Sequence, residues 1–207
     1  MDEYIIRVST CTDMMPGSGE SVPGVIDQEA RFDENGLPYM NAKTIKGHIR
    51  EQMEHLVDLQ PQRYDDVDID HLLGAEDVRG EKDPAILHFS DLTLPEELIA
   101  SVHQAIKDGK LYRDEVQNSL STVATTTQID DQGIVKDHSL RSMRLIDQGL
   151  TFNASVLALQ SLTTAEEKLF TDAVRALQHI GMQKSKGRGL IQCTLAKETS
   201  YEKSSIN

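Results

Sequence analysis

Two amphipathic helical segments lie far apart in this chain of 207 residues, and β-rich segments lie near both of them. In the first helix, from about residue 43 to 58, the apolar residues recur at helical spacing and form one stripe: Ile45, Ile49, Met53 and Leu56. A helix with a single apolar face buries that face against another layer of secondary structure, and a sheet of short strands can form this layer. The sequence therefore predicts an α+β fold.

The second helix has a start signal and a stop signal. Thr163 and Glu166 have the spacing of a capping box, in which each side chain satisfies a backbone amide of the first turn. An apolar stripe follows at helical spacing, formed by Leu169, Ala173, Leu177 and Ile180. Gly181 can adopt the left-handed conformation that ends a helix. We therefore expect this helix to extend to Gly181.

Strand-forming residues are concentrated in four segments, 4–9, 86–92, 150–159 and 190–195. In chain order with the two helices, these segments read strand, helix, strand, strand, helix, strand. This is the order of a ferredoxin-like or RRM-like βαββαβ core. We predict that residues 1–207 form a single domain around such a core.

Two segments do not fit the core and are predicted to be insertions. The first, about residues 10–40 after the first strand, is rich in glycine and proline and is expected to be a long loop. The second, about residues 94–149 before the third strand, includes a helix over Glu96–Lys107. Its polar stretch, 119–132, continues to Arg141 and predicts an extended hairpin or a mobile arm, with an ordinary surface excursion as the alternative.

Composition restricts the class of protein. The net charge is −13, from 21 basic and 34 acidic residues, whereas a free-standing nucleic-acid binder usually has a basic balance. Many of the acidic residues lie in residues 65–83, so one protein can have both an acidic outer face and a basic groove. No apolar stretch approaches the roughly 20 residues of a membrane span, and the N-terminus lacks a secretion signal. We expect a cytoplasmic protein without membrane association.

Two basic segments are candidates for binding phosphates. The first helix carries Lys43, Lys46 and Arg50, which are expected to point away from the buried stripe. A glycine-interrupted loop between the second helix and the last strand contains Lys184, Ser185, Lys186, Gly187 and Arg188. Glycine lets the backbone amides of such a loop approach a phosphate closely. Together the two segments predict a grip on a nucleic-acid backbone, while each alone is equally compatible with an ordinary turn or helix end.

Other kinds of site have little support. The histidines and the two cysteines, Cys11 and Cys193, lack the spacing of a zinc site. Gly17 and Gly19 lack the third glycine of a dinucleotide fingerprint, and neither a Walker pattern nor a nucleophile elbow occurs. A ferredoxin-like module unrelated to nucleic acid is the alternative that the net charge favours.

Several short motifs follow one another along nearly the whole chain. They are Asp27 with Asp33, Gly36-Leu37-Pro38-Tyr39, Ile45-Lys46-Gly47 with Arg50, Leu73-Gly74, Leu87-His88-Phe89-Ser90-Asp91, Leu140-Arg141, and the glycine-rich loop from Gly181 to Gly189. In this order and spacing they resemble the signature of the CRISPR-associated RAMP superfamily, especially the backbone subunit of type III effector complexes. The family commonly has Pro-Gly-Ser-Ser where this chain has residues 41–44, and a second loop glycine where it has Met182. At the first of these differences, we expect the side chain of Lys43 to bind RNA in place of backbone amides.

The resemblance implies an antiviral defence protein that polymerises along a guide RNA. Its expected partners are guide RNA, target RNA, other RAMP subunits and further copies of itself. The guide would lie in a basic groove, and residues 110–148 would form a thumb-like hairpin that inserts into the guide–target duplex. The RNA-binding residues expected from the resemblance are Lys43, Lys46, Arg50, Arg141, Lys184, Ser185, Lys186, Gly187 and Arg188.

The resemblance also implies an endoribonuclease. In the family, an aspartate in the loop after the first strand carries target-RNA cleavage, and the matching position is Asp27, ahead of Asp33 and Glu29. A divalent metal, Mg²⁺ or Mn²⁺, held by this carboxylate together with water and phosphate oxygens, would stabilise charge on the phosphate while the ribose 2′-hydroxyl attacks. The alternatives are a non-catalytic scaffold, in which Asp27 is a turn or cap residue, and an endoribonuclease that processes the guide precursor.

Overall fold

In a computed structural model, the chain forms a mixed α+β fold with antiparallel sheets. The structure describes residues 2–17, 19, 21, 25–64, 66–75, 85–127 and 140–198. In chain order, their strands are β1 (Asp2–Thr10), β2 (Leu87–Phe89), β3 (Ser121–Thr126), β4 (Arg141–Ile146), β5 (Thr151–Ala158) and β6 (Ile191–Glu198). Their α-helices are α1 (Ala42–Leu59), α2 (Ile69–Leu73), α3 (Glu96–Lys107), α4 (Arg113–Ser119) and α5 (Thr164–Ala176). Short 3-10 turns, Pro61–Arg63 and Lys184–Lys186, follow α1 and precede β6.

The main sheet has four strands in the order β2–β5–β1–β6. β1 lies between β5 and β6 and pairs with both in antiparallel register, so that Ile6 is opposite Ala154 on one side and Leu195 on the other. β2 forms one edge and pairs with β5. The first strand of the chain is therefore held by the last two.

Helices α1 and α5 supply the apolar side chains that cover one face of this sheet. Alternate residues of β1 are buried, as expected for a strand with one covered face: Tyr4, Ile6 and Val8. The Phe170 ring of α5 makes edge contacts with the rings of Tyr4 and Phe89, at centroid distances of 5.7 and 6.2 Å. From α1, the buried residues are those of the predicted stripe: Ile45, Ile49 and Met53. All belong to one continuous apolar core.

Strands β3 and β4 form a separate antiparallel hairpin. The other edge of β4 pairs with the loop that follows β1: Met14 forms an antiparallel bridge with Ile146, and Gln28 a parallel bridge with Met143. A small buried cluster formed by Met15, Met143 and Leu145 lies here, apart from the main core. We call β3, β4 and the two docked segments, 13–17 and 25–30, the hairpin unit.

The predicted end of the second helix is wrong. Helix α5 ends at Ala176, and Leu177 is extended, with φ −71° and ψ 105°. The chain leaves the helix early because the next residues pair with the start of β6: the Ile191 amide donates to the Gln178 carbonyl at 2.9 Å. Gly181 does have a left-handed φ of 80°, but it lies in the loop beyond.

The other predicted elements agree with the structure more closely. The helix over Glu96–Lys107 is confirmed. β2 is shorter than predicted because the Ser90 hydroxyl oxygen, in place of a backbone carbonyl, accepts the hydrogen bond from the Ser155 amide at 2.9 Å. In the polar arm, β3 and β4 are paired, whereas residues 128–139 lie outside the described residues, as do residues 65 and 76–83 of the acidic run. Among the helices that the structure describes, none combines the length and apolarity needed to cross a bilayer.

Candidate nucleic-acid interface and acidic loop

The loop that carries Asp27 is fixed to the outer edge of β4 by backbone hydrogen bonds. The amides of Asp27 and Gln28 donate to the Ser142 carbonyl at 3.0 and 3.2 Å, and the Arg144 amide donates to the Gln28 carbonyl at 3.0 Å. A short segment that pairs in this way behaves as an added parallel strand. The backbone at Asp27 is therefore positioned by β4.

The Asp27 side chain is exposed, and its two carboxylate oxygens have different surroundings. Oδ2 accepts a hydrogen bond from the Ser142 amide at 2.7 Å and lies 3.2 Å from the Ser142 hydroxyl. In the part of the chain that the structure describes, no hydrogen bond reaches Oδ1. The Ser142 amide, with smaller contributions from its hydroxyl and from the charge of Arg141, holds the pKa of Asp27 below its usual value. Asp27 is thus ionised at neutral pH.

The other two acidic candidates have structural partners. Glu29 Oε1 lies 3.1 Å from Arg144 Nε, and both side chains are mostly buried, with 12% and 13% exposure. Asp33 Oδ1 accepts hydrogen bonds from the amides of Asn35 and Leu37, at 2.9 and 2.8 Å, and so closes its own turn. Glu29 thus ties the loop to β4, and Asp33 shapes the turn that follows.

The glycine-rich loop rests on the segment that follows β1. The Met182 amide donates to the Met15 carbonyl, and the Gly189 amide donates to the Asp13 carbonyl, both at 2.9 Å. Gly181 must be glycine here, since a Cβ atom would lie 2.5 Å from the Met15 carbonyl oxygen and the backbone has a φ of +80°. The loop is therefore docked on the hairpin unit.

The predicted phosphate-binding residues of this loop are mostly open to solvent. Lys184, Ser185 and Lys186 form an exposed 3-10 turn. Gly187 follows with a φ of +74°, and no atom of the described residues beyond its chain neighbours lies within 4 Å of where a Cβ atom would be. Arg188 differs, because its guanidinium contacts Met143 Sδ at 2.6 Å and Gln183 Oε1 at 3.2 Å. Ser142 and Met143 are adjacent in β4, so the Asp27 loop and the glycine-rich loop meet on one strand.

The predicted cations of α1 have different surroundings. Lys43 is exposed and Lys46 is half-buried. Arg50 donates to Asp70 Oδ1 at 2.7 Å and to the Gly74 carbonyl at 2.6 Å. All three lie outside the buried stripe of α1, but Arg50 already has partners, because the carboxylate and carbonyl of α2 and its C-cap hold the guanidinium.

His48 is the α1 residue that lies close to the glycine-rich loop. Burial lowers the pKa of His48, and the nearby positive charge of Lys184 lowers it further, while Glu51 at 3.9 Å opposes both. His48 is therefore neutral at neutral pH. Lys184 therefore lies within electrostatic range of His48 in α1, the helix that carries the other predicted basic segment.

A pocket of about 250 Å³ lies between the turn at residues 33–39, the segment at 91–94 and α3; it is lined by Asp33, Leu37, Pro38, Tyr39, Asp91, Thr93, Leu94 and Ile99. Asp91 has a structural role at its rim, because its Oδ1 accepts the Ala42 amide at 2.7 Å and so caps α1. Asn41, the residue directly before the helix, makes no such side-chain bond. The pocket walls thus also hold the start of α1.

Sequence reasoning missed Ser142 and Arg144, and it named Asp91 as part of a motif without predicting that it caps α1. Ser142 and Asp27 are separated by 115 residues, and no local pattern marks a residue whose importance comes from such a distant contact. The Leu140-Arg141 motif lies at the start of β4, but it predicts neither this strand nor the edge that β4 offers to the Asp27 loop.

Residues 7–192 match the family model of the RAMP superfamily. The chain belongs to this superfamily. The match spans the Asp27 loop, α1, the hairpin and the glycine-rich loop, and it confirms the family predicted from the order of the motifs.

Solved structures of similar fold include chains of CRISPR complexes. A chain of the type III-B Cmr-beta complex bound to cognate target RNA has 14% identity and a TM-score of 0.66, over 93% of this chain and 96% of that one. Oligomeric Cmr4 from Pyrococcus furiosus has 12% identity and a TM-score of 0.56, over 97% and 100%. A chain of a type IV-B CRISPR complex has 11% identity and a TM-score of 0.60, over 96% and 91%. At these identities the similarity is one of fold, and no curated protein sequence matches this chain.

Proposed function

We propose that this chain is a guide-RNA-binding backbone subunit of a type III CRISPR effector complex, and that it cleaves target RNA bound to the guide. The observation that carries the proposal is the exposed Asp27 carboxylate, held on the strand that Arg188 of the glycine-rich loop also contacts. Chains of similar fold occur in Cmr-beta bound to cognate target RNA and in oligomeric Cmr4. These similarities support the proposal that the partners of this chain are RNA, other subunits and further copies of itself.

In this proposal the main sheet with α1 and α5 is a ferredoxin-like, RRM-like core. The strand order β2–β5–β1–β6 and the position of both helices on one face support that assignment. Residues 10–40 and about 94–149 are then insertions into a single domain, 1–207, and the thumb at 110–148 includes the β3–β4 hairpin. The cleavage site lies where the first insertion docks on the second.

The guide backbone would bind where the glycine-rich loop borders α1. Lys184, Ser185 and Lys186 are exposed there, and the open space around Gly187 lets a phosphate approach the backbone amides. The other predicted RNA contacts are Lys43, Lys46, Arg50, Arg141 and Arg188, of which Arg141 lies near Asp27. For Arg50, binding RNA requires exchange of its partners Asp70 and Gly74, so we expect it to contribute least.

The chemistry that suits this site is attack of a ribose 2′-hydroxyl on the adjacent phosphorus. The bond from the 2′-oxygen to phosphorus forms as the bond to the 5′-oxygen of the next nucleotide breaks, which leaves a 2′,3′-cyclic phosphate and a 5′-hydroxyl. The 2′-hydroxyl proton passes to solvent, and a solvent proton reaches the departing 5′-oxygen. Asp27 would hold a cation beside the reacting phosphate, and Arg141 would offset charge on the phosphate oxygens.

Asp27 also suits a hard divalent cation. Carboxylate oxygens are the ligands that Mg²⁺ and Mn²⁺ prefer, and Oδ1 accepts no hydrogen bond from the described residues. Within those residues, no group of three or more His, Cys, Asp and Glu side chains is arranged to hold a metal ion, so water and phosphate oxygens would complete the shell around Asp27. A bound metal would stabilise negative charge on the phosphate during cleavage.

A non-catalytic scaffold is the second candidate function. It is favoured by the hydrogen bonds that Asp27 makes to Ser142, because a carboxylate that ties a loop to a strand has a structural reason to be present. In this alternative the RNA grip is the same and cleavage belongs to another subunit. The variant Asp27→Asn separates the two candidates, since the amide keeps an oxygen for the Ser142 amide and loses the charge.

The experiment that tests the proposal is single-turnover cleavage of guide-complementary RNA by the assembled complex, with and without Mg²⁺ or Mn²⁺. We expect Asp27→Asn and Asp27→Ala to slow cleavage by about 100-fold or more at equal guide occupancy, the size expected when a group that stabilises charge is removed. Glu34→Gln, an exposed acid of the same loop, is the matched control and should cleave at the wild-type rate.

Unchanged, regularly spaced cuts in Asp27→Asn at equal guide occupancy would contradict the assignment of cleavage to Asp27 and leave the chain as a scaffold. Cleavage of repeat RNA by the isolated chain, without other subunits, would instead favour processing of the guide precursor. Absence of any RNA from the purified protein would contradict RNA binding as a whole.

A further inference from the structure

Ser142 presents both of its backbone polar groups to the Asp27 loop. Its carbonyl accepts from the amides of Asp27 and Gln28, and its amide donates to Asp27 Oδ2 at 2.7 Å. These groups lie on the outer edge of β4, away from β3, where Thr125 is the cross-strand neighbour of Ser142. The amide that binds the carboxylate is therefore not part of the β3–β4 ladder.

We propose that Ser142 is a positioning residue for Asp27. It binds Oδ2 of the carboxylate, so that Oδ1 is the oxygen that contacts a metal ion or the RNA. This inference rests on the proposed function, because it assigns an orientation to the same cleavage site. A carboxylate anchored through one oxygen presents the other in a fixed direction before RNA binds, and such preorganisation lowers the cost of reaching the reactive geometry.

The two donors of Ser142 are not equivalent. The hydroxyl has one proton and two acceptors, the Val25 carbonyl at 2.8 Å and Asp27 Oδ2 at 3.2 Å, and its oxygen also accepts from the Asp27 amide at 3.3 Å. Since one proton serves one acceptor at a time, the shorter bond to Val25 is favoured and the hydroxyl holds the loop more than the carboxylate. The backbone amide is therefore the principal donor to Oδ2.

The charges of the docked segment agree with this orientation. Glu29 and Arg144 are paired with each other. Among the described residues, the hydrogen-bond partner of the Asp27 carboxylate is Ser142, through Oδ2. Arg141 acts on Asp27 through its charge and, like the Ser142 amide, favours the ionised carboxylate.

The loop does not depend on the carboxylate to remain docked. The backbone bonds at Gln28 and Arg144 and the ion pair between Glu29 and Arg144 hold it independently. Proline lacks an amide hydrogen and is tolerated at strand positions whose amide is not used in the ladder. Ser142→Pro therefore removes the principal donor, and Ser142→Ala removes only the hydroxyl.

The test uses the full chain without metal and measures the pKa of the Asp27 carboxyl by carbon-13 NMR. We expect this pKa to rise most in Ser142→Pro, to rise slightly in Ser142→Ala and to stay at the wild-type value in Ser142→Thr, which keeps both donors. Thr125→Ala removes the hydroxyl of the cross-strand neighbour and should leave the pKa of Asp27 unchanged.

Cleavage by the assembled complex gives the second readout. Loss of a hydrogen bond to a charged group corresponds to about tenfold to 100-fold in rate, which we expect for Ser142→Pro; Ser142→Ala should lose about twofold to fivefold and Ser142→Thr should match the wild type. The Mn²⁺ concentration for half-maximal cleavage should rise in the same order, since a less firmly oriented carboxylate binds the metal more weakly.

The chemical shift of the Ser142 amide proton reports the same hydrogen bond to Asp27 in a protein that has no substitution at position 142. In the wild type its NMR shift should move upfield as Asp27 is protonated, and this movement should be absent from Asp27→Ala. An amide shift that does not follow the titration of Asp27 overturns the positioning role, even if Ser142→Pro does not fold. Wild-type cleavage by Asp27→Asn, with the amide still following Asp27 in the wild type, would overturn the proposed function and leave the contact as a structural one.

Discussion

The main core and the hairpin unit are stabilised in different ways. The core is one continuous set of buried apolar side chains from the sheet, α1 and α5. The hairpin unit has a small apolar cluster of Met15, Met143 and Leu145, and its loop is docked by backbone hydrogen bonds and the Glu29–Arg144 pair. Apolar burial contributes free energy without fixing direction, whereas hydrogen bonds fix direction at a small net gain. The core therefore determines stability, and the hairpin unit determines how Asp27 is oriented.

The largest expected effect comes from Phe170 in the core. Phe170→Ala removes a fully buried ring that contacts Tyr4 and Phe89, and we expect the free energy of unfolding to fall by about 3–5 kcal/mol. Denaturant unfolding followed by circular dichroism measures this loss. Leu157→Ala, at a side chain with 38% exposure, is the control and should cost about 0.5 kcal/mol or less. Similar losses for both variants would show that the core does not dominate stability.

The ion pair of the hairpin unit should give a smaller and more local effect. Glu29→Gln leaves the mostly buried guanidinium of Arg144 without its counter-charge, and we expect a loss of about 2 kcal/mol. Hydrogen exchange should accelerate at the amides of Gln28 and Arg144, while amides in β1 and β5 keep their protection. Equal acceleration in the sheet would contradict the separation of the two regions.

A double variant provides the control for the ion pair. Glu29→Leu with Arg144→Met removes both charges, and paired buried charges are often replaced by apolar side chains at little cost. Its stability should therefore lie closer to the wild type than that of Glu29→Gln. Because apolar side chains do not fix direction, the double variant should still cleave RNA more slowly than the wild type.

The smallest expected effect is the pH dependence of His48, which lies where α1 borders the glycine-rich loop. Its pKa in the folded protein is below the ordinary value near 6.5, mainly because of burial, so the unfolded chain takes up the proton first. Stability should therefore fall as the pH is lowered through about 6.5 toward the folded-state pKa. Urea unfolding between pH 8 and pH 5 measures this, and the decline should be smaller in His48→Gln. His55→Gln, at an exposed histidine of the same helix, should retain the wild-type decline.

Local patterns in the sequence were sufficient for the helices of the core. The capping box is confirmed, since the Glu166 amide donates to Thr163 Oγ1 at 3.3 Å and the Thr163 amide donates to Glu166 Oε2 at 2.7 Å. The helix end could not be predicted in the same way, because pairing with β6 draws residues 178–179 out of the helix. Gly181 does have the predicted left-handed conformation. The structural reason is its close approach to Met15 and not the end of a helix.

The candidate site could be predicted only in part. The Asp27 loop and the glycine-rich loop were recognisable from glycine, proline and charge, but the strand that joins them was not. Ser142 and Arg144 matter through contacts with residues 115 positions away, and period-2 alternation in a strand does not indicate which edge another segment will use. The ion pair of Arg50 could not be predicted for a similar reason, since Asp70 belongs to a different helix.

The position of β1 has a consequence for how this protein is made. β1 pairs with β5 and β6, which are both synthesised long after it. Pairings between distant parts of a chain slow folding, because a long loop must close before they form. The main sheet therefore cannot be completed until β6 has been synthesised. During that time the apolar side of β1 is exposed to other nascent chains, and a product that stops before β6 retains an unpaired edge that invites aggregation.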